Sequence, residues 1–239
     1  MKKIMLFMIF VVLAGGIGAV LWILQGDGSD TITSESFLVQ AEDGCGSVLD
    51  FEALKQINPD IYAWIQIPGT NIDSPVVQNA DDNSYYLTHG ANGEESSFGA
   101  IFTENHNDKL FQDYITGMYA NNEKDGNGFY ELYRYTDKKF MDENPIIMIY
   151  LPDCTLQYRI FAAYVGDDSH VVLNYEKGKE KVYREVYLDS IFEQRTMDAI
   201  IDRNTSVDYN SKVLTLSTNH KSGNNFRFLV QAYLEQIKK

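Results

Sequence analysis

The sequence predicts a mainly β fold with inserted helices, arranged as a mixed sheet or a closed barrel. Short runs of β-branched and aromatic residues recur along the chain and are separated by turn residues. Only a few segments have helical spacing, and they fall between these runs. With 239 residues and 44% hydrophobic content, the chain suits one compact domain of about 190 residues after an N-terminal leader is subtracted.

The predicted elements follow in order. A short helix lies near Asp50 to Ile57, and "YAWIQIPGTNIDSPVVQ" gives two strands about a Pro-Gly turn. "NSYYLTH" predicts a helical turn, "FGAIFTE" a strand, and Tyr114 to Ala120 a further strand. "GFYELYRYTDKKFMDENP" predicts one or two short helices that end before Pro145. A hairpin in "IIMIYLPDCTLQYRIFAAYVG", a helix in "KGKEKVYREVYLDSIFEQRTM" and strands over Val213 to Thr218 and Phe226 to Leu234 follow.

The N-terminal segment predicts an uncleaved membrane anchor over residues 1–25. From Ile4 to Leu24 the chain is uncharged for roughly 21 residues, about 31 Å as a helix, which matches the hydrocarbon thickness of a bilayer. Lys2 and Lys3 precede this run, so the positive-inside rule places the N-terminus in the cytoplasm and the remaining chain outside the cell. A cleaved signal peptide is the alternative, and it also places the domain outside.

Beyond the anchor, the composition predicts a linker and then an acidic domain. Residues 26–49 are rich in Gly, Ser, Asp and Thr and predict an extracytoplasmic linker, while residues 50–239 form the domain. Removing Lys2 and Lys3 from the 20 basic residues leaves 18 against 34 acidic ones, a formal charge of −16. We expect no nucleic-acid partner, because phosphates need a basic footprint. The acidic surface either attracts basic peptides or wall amines, or simply keeps the protein soluble.

The sequence predicts no metal site or cofactor, and leaves the two cysteines open. Cys45 and Cys154 could form a disulfide in an extracytoplasmic compartment, but their separation in sequence does not show that they meet. Neither has the strand-end setting with a nearby base that activates a thiol. No Cys or His pair has zinc spacing, and a calcium-like loop starting at Asn121 has Leu132 where a glutamate is required.

The stretch "TLSTNHKSGNNFRFLV" has the layout that usually frames a catalytic nucleophile. An apolar strand ends in small hydroxyl residues, a polar loop follows, and a second apolar strand carries Arg227 among aromatic residues. The residue at the strand end is Asn219. A carboxamide has no thiolate form near neutral pH and its nitrogen lone pair is delocalised, so it cannot readily act as a covalent nucleophile.

Seven blocks in order carry a family resemblance: "INPDIYAWIQIPGTNIDSPVVQ", "NSYYLTH", "GAIF", "MYANN", "TLQYRIFAAY", "TLSTN" and "FRFLV". From about Asp50 to its end, the chain resembles the class B sortases, membrane-anchored cysteine transpeptidases of Gram-positive bacteria. The resemblance implies a closed eight-stranded β-barrel with a helix near its N-terminus and another between the sixth and seventh strands. In the family, a strand-end cysteine takes a C-terminal sorting signal into a thioester, which a peptidoglycan amine resolves.

The resemblance also assigns the candidate site residues. Asn219 stands at the position of the family's cysteine, Asn121 at that of its histidine, and Arg227 is the retained arginine. We expect the neighbouring positions to contact substrate, namely Thr218, Ser217 and Tyr119. Asn121 can hydrogen-bond but cannot shuttle a proton near neutral pH as an imidazole can.

Neighbouring side chains offer weak replacements for the missing groups. If strand alternation continues, His220 points away from Asn219. The Ser217 and Thr218 hydroxyls have no evident activating base, so strand-end hydrogen bonding is their expected role. Three further histidines are widely separated, and we expect them on surface loops: His89, His106 and His170.

Three functions follow from these residues. The first is a catalytically degenerate, single-pass sortase-like protein of the cell surface that binds a sorting-signal-like peptide or a peptidoglycan stem peptide. The second is an active transpeptidase or peptidase with a non-standard nucleophile. The third is an extracellular scaffold or spacer whose peptide groove is closed.

Overall fold

The computed structural model describes residues 32–40, 47–123, 128–167, 178–220 and 225–238. The predicted membrane anchor, Cys45 and His170 lie outside these ranges. Within them, no helix is long and apolar enough to span a bilayer.

Eleven strands and three α-helices make up the described regular structure, with short 3-10 helices between them. The strands are β1 Leu38–Gln40, β2 Ser47–Leu49, β3 Ile61–Gln66, β4 Asp73–Val77, β5 Ile101–Thr103, β6 Ile115–Tyr119, β7 Ile146–Tyr150, β8 Thr155–Asp167, β9 Ile200–Ile201, β10 Val213–Asn219 and β11 Phe226–Lys238. The α-helices are α1 Phe51–Ile57, α2 Lys138–Glu143 and α3 Lys181–Phe192. The 3-10 helices are Ser34–Phe37, Tyr85–Leu87 and Tyr130–Thr136.

Eight of these strands close into a mixed barrel, which confirms the predicted fold. The strand order is β11-β10-β6-β5-β4-β3-β7-β8, and β8 pairs with β11 to close the circle. The β4–β5 and β6–β10 pairs are parallel and the others antiparallel. The short β9 only extends β8 at its free side. Closure leaves no long unpaired sheet edge among the described barrel strands.

The two predicted helices lie where the resemblance implied. α1 starts at Phe51, and the preceding residue Asp50 caps it, because its carboxylate accepts a hydrogen bond from the Ala53 amide at 2.9 Å. α3 lies between β8 and β10, which are the sixth and seventh strands of the barrel in chain order. It covers the outer face of the barrel with Tyr187, Leu188 and Ile191.

The side chains of β10 point alternately to the inside and the outside of the barrel. Leu214 and Leu216 belong to the central core, whereas Val213 packs in the cluster beneath α3. Since side chains alternate with period two, Thr218 faces inward and Asn219 faces outward. The same alternation puts Arg227 on the outer face of β11, because Phe228 belongs to the central core.

Two segments differ from the sequence-based expectation. The last strand runs to Lys238 rather than Leu234, because β8 supplies partners as far as Thr155, opposite Lys238. In the segment predicted as a linker, the described residues include a 3-10 turn and the β1–β2 hairpin. Phe37 and Leu49 of this segment pack against the cluster that contains Trp64.

Candidate functional site

Asn219 and Arg227 lie opposite each other at the rim of the barrel. They are Cα partners in the β10–β11 pair, and Arg227 Nη1 donates a hydrogen bond to Asn219 Oδ1 at 2.6 Å. Asn219 is exposed and Arg227 is partly exposed. A hydrogen bond from a guanidinium is charge-assisted, so this contact positions the arginine at the end of β10.

Asn121 lies at the same rim, but its amide group is directed elsewhere. β6 pairs in parallel with β10 up to Tyr119 opposite Ser217, so continuing this register places Asn121 beside Asn219. Its side-chain nitrogen donates to the carbonyl oxygens of Leu87 at 2.9 Å and Phe98 at 3.1 Å. Both protons of this nitrogen are therefore used to hold the connection between β4 and β5 against the rim.

Two residues that the sequence did not indicate hold Asn219 in place through its main chain. The carbonyl oxygen of Asn219 accepts hydrogen bonds from Asn122 Nδ2 at 3.1 Å and from the Tyr133 hydroxyl at 2.9 Å. Asn122 follows Asn121 directly, and the "YANN" run was the available signal. Tyr133 is 86 residues away in sequence, so only the folded chain brings it to the site.

The three expected substrate contacts lie in different environments. Thr218 has no exposed surface, faces the barrel interior, and donates from its hydroxyl to the Ala120 carbonyl at 2.8 Å. This bond joins β10 to the end of β6 and places the Thr218 side chain away from the outer surface. Ser217 is buried on the outer face beside Tyr119, its Cα partner on β6.

The Tyr119 hydroxyl links the rim to the largely buried carboxylate of Glu104. Burial raises the pKa of the Tyr119 hydroxyl well above its ordinary range; the Glu104 charge and hydrogen bond raise it further, while Arg227 lowers it. The phenol therefore stays protonated at physiological pH and donates to Glu104. Glu104 Oε2 also lies 3.4 Å from His106 Nε2, and only 10% and 18% of these two side chains is exposed.

The described histidines lie in three different settings. The His220 ring lies 5.9 Å from that of Tyr133, which stacks on the core residue Phe228 at 4.7 Å. His220 therefore lies on the interior side of the rim, opposite the Asn219 side chain. His89 stacks on Tyr85 at 3.9 Å. His106 lies in the loop after β5, where its half-buried ring contacts Glu104.

Cys154 lies at the other end of the barrel from Asn219. β8 pairs with β11 from Asp167 opposite Phe226, near the rim site, to Thr155 opposite Lys238. Cys154 immediately precedes Thr155, so the length of β11 separates the thiol from Arg227, roughly 35 Å at ~3.3 Å per residue. Among the described residues, no group of three or more His, Cys, Asp or Glu side chains is arranged to hold a metal ion.

A pocket of about 400 Å³ opens on the outer face next to this rim, between α3 and the ends of β8 and β11. Its lining includes Gly166, the Cα partner of Arg227, and Leu229, the next outward residue of β11. Ser190 and Gln194 supply polar groups from the α3 side. The pocket therefore continues the outer surface that carries Arg227.

The barrel and its rim define a class of protein. An eight-stranded mixed barrel, with a helix between the sixth and seventh strands and a polar site at the end of the seventh, is the architecture of the sortases. The chain belongs to the class B sortase family. No protein-family model matches the sequence, and the assignment rests on individual relatives.

These relatives are similar over most of the chain. The Listeria monocytogenes sortase B is 29% identical over 196 residues, covering 80% of this chain and 77% of that protein. A solved structure of sortase B from Listeria monocytogenes is 30% identical, with a TM-score of 0.65, and covers 77% of this chain and 100% of that chain. The Staphylococcus aureus sortase B-substrate complex has a TM-score of 0.67 at 25% identity, covering 78% of this chain and 84% of that chain.

Proposed function

We propose that this chain is a catalytically degenerate class B sortase that binds peptides at the rim of its barrel without cleaving them. The observation that carries the proposal is the contact between Asn219 and Arg227. At the end of the seventh strand, a carboxamide occupies the place of a nucleophile and hydrogen-bonds to the arginine of the eighth strand. The arginine thus has an acceptor beside it, but neither of these two side chains can form an acyl bond.

The chemistry of the two asparagines supports the loss of the covalent route. Formation of a thioester needs a thiolate at position 219 and a proton acceptor near position 121. Asn219 has no ionisable group, and the Asn121 amide is hydrogen-bonded to two main-chain carbonyls. The geometry also disfavours an active enzyme with another nucleophile, since Cys154 lies at the far end of β11 and His220 on the interior side of the rim.

The surface around the rim supports peptide binding. Leu87 and Phe98, whose carbonyls bind Asn121, have side chains exposed by 40% and 37%, and Phe226 beside Arg227 is exposed by 47%. Apolar side chains around one charged, hydrogen-bonding group suit a peptide with apolar and polar positions. A related protein, Staphylococcus aureus sortase B, is known in complex with its substrate. The ligand we propose is a sorting-signal-like peptide or a peptidoglycan stem peptide.

The position in the cell is part of the proposal. Residues 1–25 anchor the chain in the membrane once, with the N-terminus in the cytoplasm and the barrel outside. The uncharged run from Ile4 to Leu24 and the preceding lysines support this orientation. Protease added to intact cells should then digest the barrel domain, and complete protection of the domain would contradict the orientation.

A cleavage assay with matched variants tests the loss of activity. The full-length protein is incubated with a fluorogenic sorting-signal peptide and an amine acceptor, beside the double variant Asn121→His with Asn219→Cys. We expect no cleavage by the unmodified chain and measurable cleavage by the double variant. Cleavage by the unmodified chain would overturn the proposal. If neither cleaves and neither binds the peptide, the spacer interpretation is favoured.

A further inference from the structure

We propose that the rim site selects ligands that carry a carboxylate, and that the Asn219 carboxamide is a built-in competitor for Arg227. This inference rests on the proposed peptide binding and deepens it, because it names the chemical group that Arg227 recognises. It concerns the C-terminal or side-chain carboxylate of a peptide rather than the amide of an internal peptide bond.

The first step is the identity of the group that Arg227 already contacts. Asn219 Oδ1 lies 2.6 Å from Arg227 Nη1. A side-chain carboxamide has the same functional group as a peptide bond. In the observed state, the arginine is therefore bound to an intramolecular equivalent of a peptide carbonyl.

The second step is the exchange that a ligand must make. A peptide carbonyl that displaces Asn219 Oδ1 replaces one neutral oxygen with another and gains little at Arg227. A carboxylate brings a full negative charge and two oxygens that match the edge of a guanidinium. Of the acceptors that a peptide carries, the carboxylate therefore gains most on displacing the Asn219 oxygen.

The third step is that the competitor can leave without disturbing the barrel. Asn122 and Tyr133 hold the main-chain carbonyl of Asn219, and β11 pairs with its backbone, so the backbone position does not depend on the bond between the two side chains. The Asn219 side chain is exposed and faces outward, so rotation about its own bonds carries Oδ1 into solvent. Displacement thus requires a side-chain rotation and no change in the β10–β11 register.

The fourth step concerns charge. The whole chain has a formal net charge of −14, which opposes anionic ligands at long range. At physiological salt this repulsion is screened beyond about 8 Å, so the groups at the rim decide the outcome. The nearby Glu104 carboxylate interacts with Tyr119 and lies against His106, which reduces its effect on a ligand at Arg227. Selection for a carboxylate therefore depends on Arg227.

The test measures binding of one labelled sorting-signal peptide to the full-length protein by fluorescence anisotropy. The peptide is prepared with a free C-terminal carboxylate, with a C-terminal amide, and with a C-terminal amide plus one internal glutamate. We expect the free acid to bind roughly fivefold to tenfold more tightly than the amide. If the glutamate peptide binds as tightly as the acid, the proposal holds with a side-chain carboxylate as the group recognised.

Two variants and a control test whether Arg227 and Asn219 cause the preference for the free acid over the amide. Arg227→Gln should remove the preference for the acid, and Asn219→Ala should strengthen binding of the amide most, because it removes the competitor. Lys55→Gln on α1 makes the same change in net charge as Arg227→Gln and should preserve the preference. Each variant is first compared with the unmodified chain in thermal unfolding, and Asn219→Ala keeps the test decisive if Arg227→Gln does not fold.

The failures of the two proposals are distinguishable. If the acid and amide bind equally and binding is lost in Arg227→Gln, peptide binding stands and carboxylate selection is wrong. If none of the three peptides binds the unmodified chain or Asn219→Ala, the proposed peptide-binding function is wrong as well.

Discussion

The hydroxyl groups of Tyr187 and Thr215 lie 2.7 Å apart beneath α3 and join this helix to the outer face of β10. Tyr187 also donates to Gln231 Oε1 at 2.9 Å, and Gln231 Nε2 donates to the Tyr164 hydroxyl at 3.1 Å. Apart from Tyr164 at 4%, these side chains are at most 2% exposed. Buried polar groups require such partners, so the network fixes how α3 sits beside the rim.

Replacing Tyr187 by phenylalanine should destabilise the fold measurably. The change removes two buried hydrogen bonds, but Thr215 Oγ1 still donates to Gln231 Oε1 at 2.8 Å, so we expect a cost of about 0.5 to 1.5 kcal/mol in the free energy of unfolding. Urea denaturation of the full-length protein measures it. Tyr183→Phe, on the same helix, should cost less than about 0.5 kcal/mol. Equal effects of the two changes would show that the network does not stabilise the helix position.

Gly99→Ala should be more harmful than Gly93→Ala, although both glycines have positive φ angles, of 67° and 81°. A Cβ at Gly99 would lie 2.5 Å from the Tyr86 carbonyl oxygen and 2.9 Å from Asn121 Nδ2, whereas at Gly93 its nearest neighbour is 3.8 Å away. Left-handed strain alone costs about 1 to 2 kcal/mol. We expect at least about 3 kcal/mol for Gly99→Ala, because it also meets a backbone atom. Similar denaturation midpoints for the two variants would contradict this.

The Glu235 carboxylate should contribute to stability only above acidic pH. Its hydrogen bond from Arg159, at 2.6 Å, lowers the pKa of Glu235, and Gln157 adds a second bond at 2.9 Å. A lowered native pKa gives stability that is present above the unfolded value of about 4.3 and is lost as the pH falls through the native value.

Glu235→Gln should therefore reduce the free energy of unfolding near neutral pH by less than about 1 kcal/mol, since the pair is solvent-exposed. The difference from the unmodified chain should shrink as the pH falls below the unfolded value of about 4.3. Chemical denaturation at neutral pH and across the acidic range measures it, with the exposed Glu193→Gln as control. A difference that stays constant with pH would rule out titration of this carboxylate as its cause.

Cys154→Ser should leave peptide affinity at the rim unchanged within about twofold, because the thiol lies at the opposite end of β11. Binding of the labelled peptide to the full-length variant provides the measurement, and Arg227→Gln serves as the positive control for loss of affinity. A large loss in Cys154→Ser would mean that the thiol takes part in the site or that the two barrel ends are coupled.

Local patterns accounted for most of the fold. Alternating β-branched and aromatic residues indicated the barrel strands, and Asp50 at the start of α1 caps that helix. The end of β11 was not predicted because residues 235–238 are exposed, three of the four are polar, and they belong to the strand through pairing with β8. The pairing of β1 with β2 was not predicted either, because the surrounding segment is rich in turn residues.

The sequence predicted part of the candidate site. The "TLSTN", "YANN" and "FRFLV" blocks identified Asn219, Asn121 and Arg227 as positions that the fold brings to one rim. They did not indicate the bond between Asn219 and Arg227, or that the Asn121 amide binds the Leu87 and Phe98 carbonyls. These contacts depend on rotamers and loop positions, which residue order leaves open.

By itself, the sequence predicted a class B sortase-type barrel, and its resemblance to the family predicted that Asn219 and Asn121 stand at the positions of the family's cysteine and histidine. Seven ordered sequence blocks carried this resemblance, while strand periodicity indicated only the β elements, and a carboxamide has no ionisable form near neutral pH. Only the tertiary structure decided that Thr218 faces inward and that Tyr133, 86 residues from Asn219, holds the rim. Such relationships arise when barrel closure brings side chains that are far apart in sequence into contact, and this depends on the packing of the whole chain.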